Sequence, residues 1–154
     1  MNELQFSERA MACAEKLWRI SYLILRNPTD CDDAVQEALI RAWTRLGTLR
    51  NEEYFESWLV RILVNVSRDL LRKRRPVVEL DESMAEPEPP DTALRDAICT
   101  LEIKYRLPLV LHHLEGYPLE DCARMLRIPV STVKGRLFTA RRLLRKTLEK
   151  EVEA

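Results

Sequence analysis

Residues 119–146 read LEDCARMLRIPVSTVKGRLFTARRLLRK, and this stretch decides the fold class. Leu119 to Leu126 carries apolar side chains at helical intervals, with the small Ala123 where a second helix must cross closely. Arg127-Ile128-Pro129-Val130 makes a turn, because proline has no N–H with which to continue a helix. Ser131 is expected to cap the second helix. Beyond it Val133, Leu137, Ala140, Leu144 and Leu148 form an inward stripe. Steps of about 100° per residue put Ser131, Gly135, Phe138, Arg142 and Arg145 away from that stripe. This is helix-turn-helix geometry, and the second helix sets Lys134, Arg136, Arg141, Arg142, Arg145, Lys146 and Lys150 against one acid, Glu149. Its first residues suit the floor of a DNA major groove and its later arginines suit phosphates, although such helix pairs also serve plain protein packing.

The rest of the composition agrees with an all-α chain. Three glycines and a 6% aromatic share are too few for a sandwich or barrel, and 154 residues suffice for one domain or two small ones. No eighteen-residue apolar run exists, and Glu3, Glu8 and Arg9 stand where a signal peptide needs an apolar core, so a soluble, cytoplasmic chain without membrane insertion is expected. Cys13, Cys31, Cys99 and Cys122 are widely spaced among apolar positions and are expected to be buried free thiols. His112 and His113 have no ligand spacing to another histidine and are read as structural. There is no phosphate-cradling glycine loop, no His-Glu metal pair and no nucleophile motif, so no enzyme activity, cofactor or metal is expected.

A net charge of zero conceals a division along the chain. Residues 1–75 hold 13 basic and 11 acidic side chains, residues 76–93 hold none and 6, and residues 94–154 hold 12 and 8. The middle stretch, PVVELDESMAEPEPPDTA, contains four of the eight prolines and no apolar period, and is read as a flexible acidic linker. Eighteen residues of this kind span about 23 Å as a coil and about 56 Å in polyproline geometry. The linker divides the chain into two small helical domains with separate thin cores, residues 1–75 and 94–154, free to move relative to each other.

In the first, Val35, Ala38, Leu39, Ala42, Trp43 and Leu46 recur at helical intervals from Asp30 to Leu46, with Thr29 and Asp32 as a capping pair. The opposite side shows Asp33, Gln36, Glu37 and Arg41. Phe55, Trp58, Leu59, Ile62, Leu63, Val66 and Leu70 form a second stripe, and Arg61, Asn65, Arg68 and Arg72 form one polar row leading into Lys73, Arg74 and Arg75. Such a row suits a phosphate backbone, with an asparagine able to bond a base edge; a solvated helix face is the competing reading for both polar surfaces. The polar loop Gly47 to Ser57 carries Tyr54, able to stack on an unpaired base, and Phe55, expected to pack inward.

The segments DCDDAVQEALIRAW, FESWLVRILVNVSRDLLRKRR and GYPLEDCARMLRIPVSTVKGRLFTARRLLRK, with the acidic linker between, resemble bacterial RNA polymerase sigma factors of the extracytoplasmic-function type over nearly the whole chain. The resemblance implies a sigma-two domain followed by a sigma-four domain. It implies that the helix with Asp33, Gln36, Glu37 and Arg41 docks on the clamp coiled coil of core RNA polymerase. Arg61, Asn65, Arg68 and Arg72, with the loop before them, fall to the start-proximal promoter DNA. Ser131, Thr132, Lys134, Gly135, Arg136, Phe138, Arg141, Arg142 and Arg145 fall to the upstream promoter DNA, and the preceding helices to the polymerase flap. Arg127 and Ser131 stand where glycine is frequent in such motifs, so a reshaped turn is expected. No regulatory domain is expected beyond residue 154, so control is expected to come from an anti-sigma partner or from expression level. A stand-alone helix-turn-helix regulator binding an operator as a dimer accounts for residues 119–146 but not for the first domain's polar faces.

Overall fold

The computed structural model describes residues 1–74 and 92–153, and among them the regular structure is helical with no strand. The first helix, α1 (Glu3–Leu25), was not among the sequence expectations, although Phe6, Ala10, Leu17, Ile20 and Ile24 keep a helical rhythm and are buried. It opens on a reciprocal cap: the Gln5 N–H donates to the Asn2 side chain at 2.8 Å, and the Asn2 N–H donates to the Gln5 side chain at 2.9 Å.

The second helix, α2 (Pro28–Thr44), begins earlier than the sequence suggested. Its cap is Asn27, which accepts from the Asp30 N–H at 3.0 Å, and Pro28 occupies the first helical position; the Thr29/Asp32 pair lies inside the helix instead. The inward side is Cys31, Ala34, Ala38 and Ala42, all fully buried. That axis is turned by about 60° from the expected stripe. The small residues face the bundle, while Val35 and Leu39 lie half-buried at its flank and Trp43 is 46% exposed. Two 3-10 turns, Leu46–Thr48 and Glu52–Tyr54, lead to α3 (Phe55–Lys73).

Helix α3 has three faces where the sequence suggested two. Taking Phe55 as zero, Leu59, Ile62, Leu63 and Val66 lie within about 80° of it and pack in the bundle, and the Arg61/Asn65/Arg68/Arg72 row lies at about 220–280°. Between them, at about 100–180°, runs Glu56, Val60, Val64 and Ser67. Val60, Val64 and Ser67 on this third face are also buried. Helix α3 packs against α1, α2 and a helix of the second lobe.

That lobe comprises α4 (Thr92–Cys99), α5 (Ile103–Leu109), a π-helical turn (Val110–Leu114), α6 (Leu119–Leu126) and α7 (Val130–Glu153). Thr92 and Ala93, assigned above to the linker, belong to α4; residues 75–91 lie outside the described residues. Pro108 sits inside α5 and withholds one N–H, and the ladder widens just after it: the Glu115 N–H donates to the Val110 carbonyl at 3.0 Å, five residues back. Ser131 does not cap α7. The helix already includes Val130, and the N–H groups of Thr132 and Val133 both donate to the Pro129 carbonyl, at 3.0 and 3.1 Å. Arg127 ends α6 at φ 56°, in the left-handed region that usually selects glycine, which is how the turn accommodates its departure from the common pattern.

The two lobes are not separate bodies. One continuous apolar cluster runs from Phe6 through Val64 and Leu107 to Ala140, and α3 packs on α6 while α1 packs on α4 and the π-helical turn. The cysteine expectation also needs correction: all four are free, yet only Cys31 and Cys122 are buried, and Cys13 and Cys99 are half-buried.

Candidate polymerase and promoter interfaces

The outward side of α2 keeps Asp33, Gln36 and Glu37 exposed, with Arg41 half-buried and its Nε bonded to Glu37 at 2.9 Å. The fold adds residues that the sequence reading did not include. A groove beside this face is lined by Asp33, Gln36, Glu37, Ile40 and Arg41 of α2 and by Val66, Asp69, Leu70 and Lys73 of α3. Ile40 is 60% exposed. The available signal was its phase, which sets Ile40 off the alanine stripe and beside the carboxylates.

The polar row of α3 divides. Asn65 and Arg72 are exposed, Arg61 and Arg68 are half-buried, and Arg72 pairs with Asp69 at 2.6 Å. Arg74, read above as part of a basic end, is instead bonded to Asp30 of α2 through Nε at 3.0 Å. Phe55 packs inward as expected, edge-on to Phe6 at 5.8 Å between centroids, with the Arg9 guanidinium 4.7 Å from its own ring centre. Tyr54 stays 43% exposed, and the Arg124 guanidinium of α6 lies 4.5 Å from its ring centre. The loop and α3 supply Thr48, Leu49, Arg50, Asn51, Tyr54, Ser57, Trp58 and Arg61 to one cleft, and α6 and its turn supply Arg124 and Arg127. Four arginines and no carboxylate line it, which suits a phosphodiester strand with bases against the rings.

On α7 the inward stripe is Val133, Leu137 and Ala140, all buried, with Leu144 and Leu148 half-buried. Ser131, Lys134, Gly135, Phe138, Arg141, Arg142 and Arg145 are exposed, while Thr132 and Arg136 are half-buried. Phe138 is 66% exposed, a large ring left mostly to solvent. Among the described residues Lys134, Arg142 and Arg145 make no ion pair. Arg141 turns toward the π-helical segment, where its Nε donates to the His113 Nε2 at 2.9 Å. Burial first, then the Arg141 charge and His112, hold the His113 imidazole below its ordinary pKa. The His112 Nδ1 is 2.8 Å from the Tyr117 carbonyl. No cluster of histidines, cysteines and carboxylates suited to a metal occurs among the described residues.

Residues 10–77 match the family model for Sigma-70 region 2, and residues 91–144 match that for Sigma-70 region 4. The RNA polymerase sigma factor SigV of Bacillus subtilis is 31% identical, over 89% of this chain and 87% of its own length. The ECF RNA polymerase sigma factor SigW of the same organism is 32% identical, over 87% of this chain and 83% of its own length. This chain is an extracytoplasmic-function sigma factor. As such it binds core RNA polymerase and directs promoter-specific initiation, and the stand-alone regulator reading falls away. The solved structure of CnrH in complex with the cytosolic domain of CnrY matches this sigma factor with a TM-score of 0.79 and 26% identity, over 97% of this chain and 90% of that one. The sigma factor RpoE from Bartonella quintana, solved with the anti-sigma factor NepR, shares the fold, with a TM-score of 0.76 and 20% identity over 94% of this chain and 97% of that one. No described helix is long and apolar enough to cross a membrane.

Proposed function

We propose that the sigma factor divides its work between the two lobes along the lines of the surfaces above. Residues 1–75 form the polymerase-binding and start-proximal unit, and residues 94–154 form the upstream reader. Asp33, Gln36, Glu37 and Arg41, with Ile40, contact the clamp coiled coil. Arg61, Asn65, Arg68 and Arg72, beside Tyr54, hold the start-proximal element. Ser131, Lys134, Gly135 and Phe138 read upstream bases, with Thr132 and Arg136 beside them, and Arg142 and Arg145 grip phosphate. Arg141, bonded to His113, comes to phosphate only after leaving that contact. The helices before α7 meet the flap.

The observation that carries this division is the contrast in charge and apolar exposure between the outward sides of α2 and α7. A carboxylate face with an exposed isoleucine is repelled by DNA and suits a protein partner, whereas unpaired cations around an exposed ring suit a groove. The protein acts by binding and not as an enzyme, and works in the cytoplasm where polymerase and promoter are. An anti-sigma protein is its expected regulator, in keeping with the partner-bound state in which CnrH was solved. Run-off transcription with core polymerase tests the reading. Asp33→Lys with Glu37→Lys is expected to weaken core binding strongly in a pull-down while costing the fold only about 0.5 kcal/mol, because both side chains are exposed and only the surface pair of Glu37 with Arg41 is lost. Unchanged binding removes this helix from the interface, and promoter-independent output from the native chain removes the function.

A further inference from the structure

One of the arginines assigned to upstream DNA is engaged within the fold. With Val133 of α7 at zero, Arg141 falls at about 80°, on the flank between the inward stripe and the outward side, where Arg145 lies at about 120° and Arg142 at about 180°. Its Nε donates to the His113 Nε2 at 2.9 Å, across 28 positions of the chain. A guanidinium keeps its protons at any ordinary pH, so the imidazole is the acceptor and holds its own proton on Nδ1.

The backbone explains how a histidine from before the helix-turn-helix reaches α7. After Pro108 the ladder widens, with the Glu115 N–H donating to the Val110 carbonyl and the Tyr117 N–H to the Leu111 carbonyl, both at 3.0 Å. Gly116, at φ 78°, lets the chain reverse between those two bonds. Val110 and Leu111 are buried, and the His112 Nδ1 lies 2.8 Å from the Tyr117 carbonyl, with its ring centre 5.0 Å from that of His113. The exposed His113 ring thus projects from a pinned turn and not from a free loop.

The surrounding charges leave this bond without competition. Glu115, two residues on, is turned to Arg19 of α1 at 3.1 Å, and Asp121 of α6 is paired with Arg124 at 2.9 Å. Glu102, at the start of α5, lies 3.8 Å from Lys104, and Arg106 of α5 donates to the Leu101 carbonyl at 2.9 Å. Asp96 of α4 is taken by Arg26 at 2.7 Å. Among the described residues no carboxylate pairs with Arg141 or His113, and the charges nearest them on α7 are the unpaired Arg142 and Arg145.

We propose that His113 is a positioning residue of the upstream reader: while neutral it holds the Arg141 guanidinium against the π-helical turn, and on protonation it releases that guanidinium to a promoter phosphate. This role rests on the promoter-binding reading of α7. A proton on Nε2 uses the lone pair that accepts from Arg141 and sets two cations against each other, so the bond breaks. The freed side chain lies about 6 Å along the helix from Arg145 and joins the same row of phosphate contacts. Burial, Arg141 and His112 all hold the imidazole below its ordinary pKa, so the release falls below about pH 6.5. Linkage makes the effect reciprocal: a phosphate that draws Arg141 away raises the proton affinity of His113.

Two substitutions with opposite expectations test the role in holoenzyme made with the full chain. The glutamine carbonyl of His113→Gln can still accept from Arg141 at every pH, whereas His113→Ala accepts nothing. At about pH 7.5, titrations of an upstream-element duplex over a salt series should give His113→Ala a slope steeper than native by about 0.9, one further phosphate neutralised, and His113→Gln the native slope. At about pH 5.5 the native slope should steepen by about 0.9 relative to His113→Gln and meet that of His113→Ala. With Arg141→Ala in the background, His113→Ala should no longer alter the slope. In the free protein, nitrogen NMR of the His113 ring should show the proton on Nδ1 and a titration below about pH 6.5 that Arg141→Ala moves upward. Equal slopes for the alanine and glutamine variants at about pH 7.5 overturn the proposal, because a histidine acting through its own charge would make them alike. A proton found on Nε2 in the free protein overturns it as well. If the holoenzyme ignores the upstream duplex altogether, the promoter reading fails and the role of His113 with it, while the ring tautomer still reports the contact itself.

Discussion

Helices α3 and α7 are both long, both rich in arginine and both assigned to DNA, yet the fold treats their charges differently. On α3 and its end, Arg72 is paired with Asp69 and Arg74 with Asp30, and Arg61 lines a cleft shared with the other lobe. On α7, Lys134, Arg142 and Arg145 have no acidic partner among the described residues. Charges already paired contribute little to long-range attraction, whereas unpaired cations on one helix set up the field that draws in a polyanion. The cations of α7 are therefore free to act at long range on a polyanion, whereas those at the end of α3 are partly engaged within the fold.

The largest expected effect probes whether the lobes behave as one body. Leu137 lies in the second lobe and is 1% exposed, within the cluster that also includes Leu63. Leu137→Ala should cost about 2–5 kcal/mol. Because the cluster is continuous, calorimetry should show one transition moving down, and Leu63→Ala should move the same transition. Two separate transitions, each answering to one substitution, would restore the picture of independent lobes.

Next in size is the division of labour along α7. Lys134→Ala should reorder preference among upstream-element variants, by about 1–3 kcal/mol where the lysine bonds a base edge. Arg142→Ala and Arg145→Ala should weaken all variants alike, lowering the salt slope by about 0.9 for each phosphate no longer neutralised. Holoenzyme titrations against an upstream-element library at several salt concentrations separate the two, and a uniform loss for Lys134→Ala with reordering for Arg142→Ala reverses the assignment.

The turn between α6 and α7 should respond more mildly. Arg127 occupies a left-handed position with an exposed side chain, so Arg127→Gly relieves the clash of Cβ with its own backbone. Stability should rise by up to about 1 kcal/mol in thermal melts. A destabilised variant would show that Arg127 contributes packing that outweighs its backbone strain.

The smallest effects are those of pH, and the two lobes respond in different windows. Burial pushes the Glu56 carboxyl up, but the bonds from Lys16 and Tyr117 outweigh it and hold its pKa below the ordinary carboxylate value. The folded value lies under the unfolded one, so its contribution is complete above about pH 4.3 and is lost as pH falls through the depressed value. His113 is also depressed, chiefly by burial. Being a base, it contributes while neutral, and its share declines as pH falls below about 6.5 toward the depressed value. Compactness followed by scattering from pH 7 to pH 3 should hold through the histidine window and loosen only in the carboxylate one. His113→Gln should remove the upper dependence of thermal stability and leave the lower intact.

Much of this protein was legible in the order of its residues. The 119–146 stretch contains its own evidence: the apolar rhythm of α6, a proline that breaks it and a second rhythm of Val133, Leu137 and Ala140, each set by contacts within a few turns. The exposed acids of α2 and the basic side of α7 were legible for the same reason, since helical phase alone places them opposite an apolar stripe. What the sequence left open was everything that depends on a second surface arriving from far along the chain. The buried Val60, Val64 and Ser67 face of α3 has a helical phase, but only the packed lobes show it as a third face distinct from the bundle stripe. The rotation of α2 onto its alanines came from the bundle it had to enter, and the pairing of Arg74 with Asp30 from a fold that joins residues 44 positions apart. The contacts of Glu56 with Tyr117 and of Arg106 with the end of α1 span 61 and more than 80 positions. Local periodicity specifies which side of a helix is apolar. Which apolar or charged side meets which is a choice among long-range contacts of similar chemistry, and only the tertiary structure makes it.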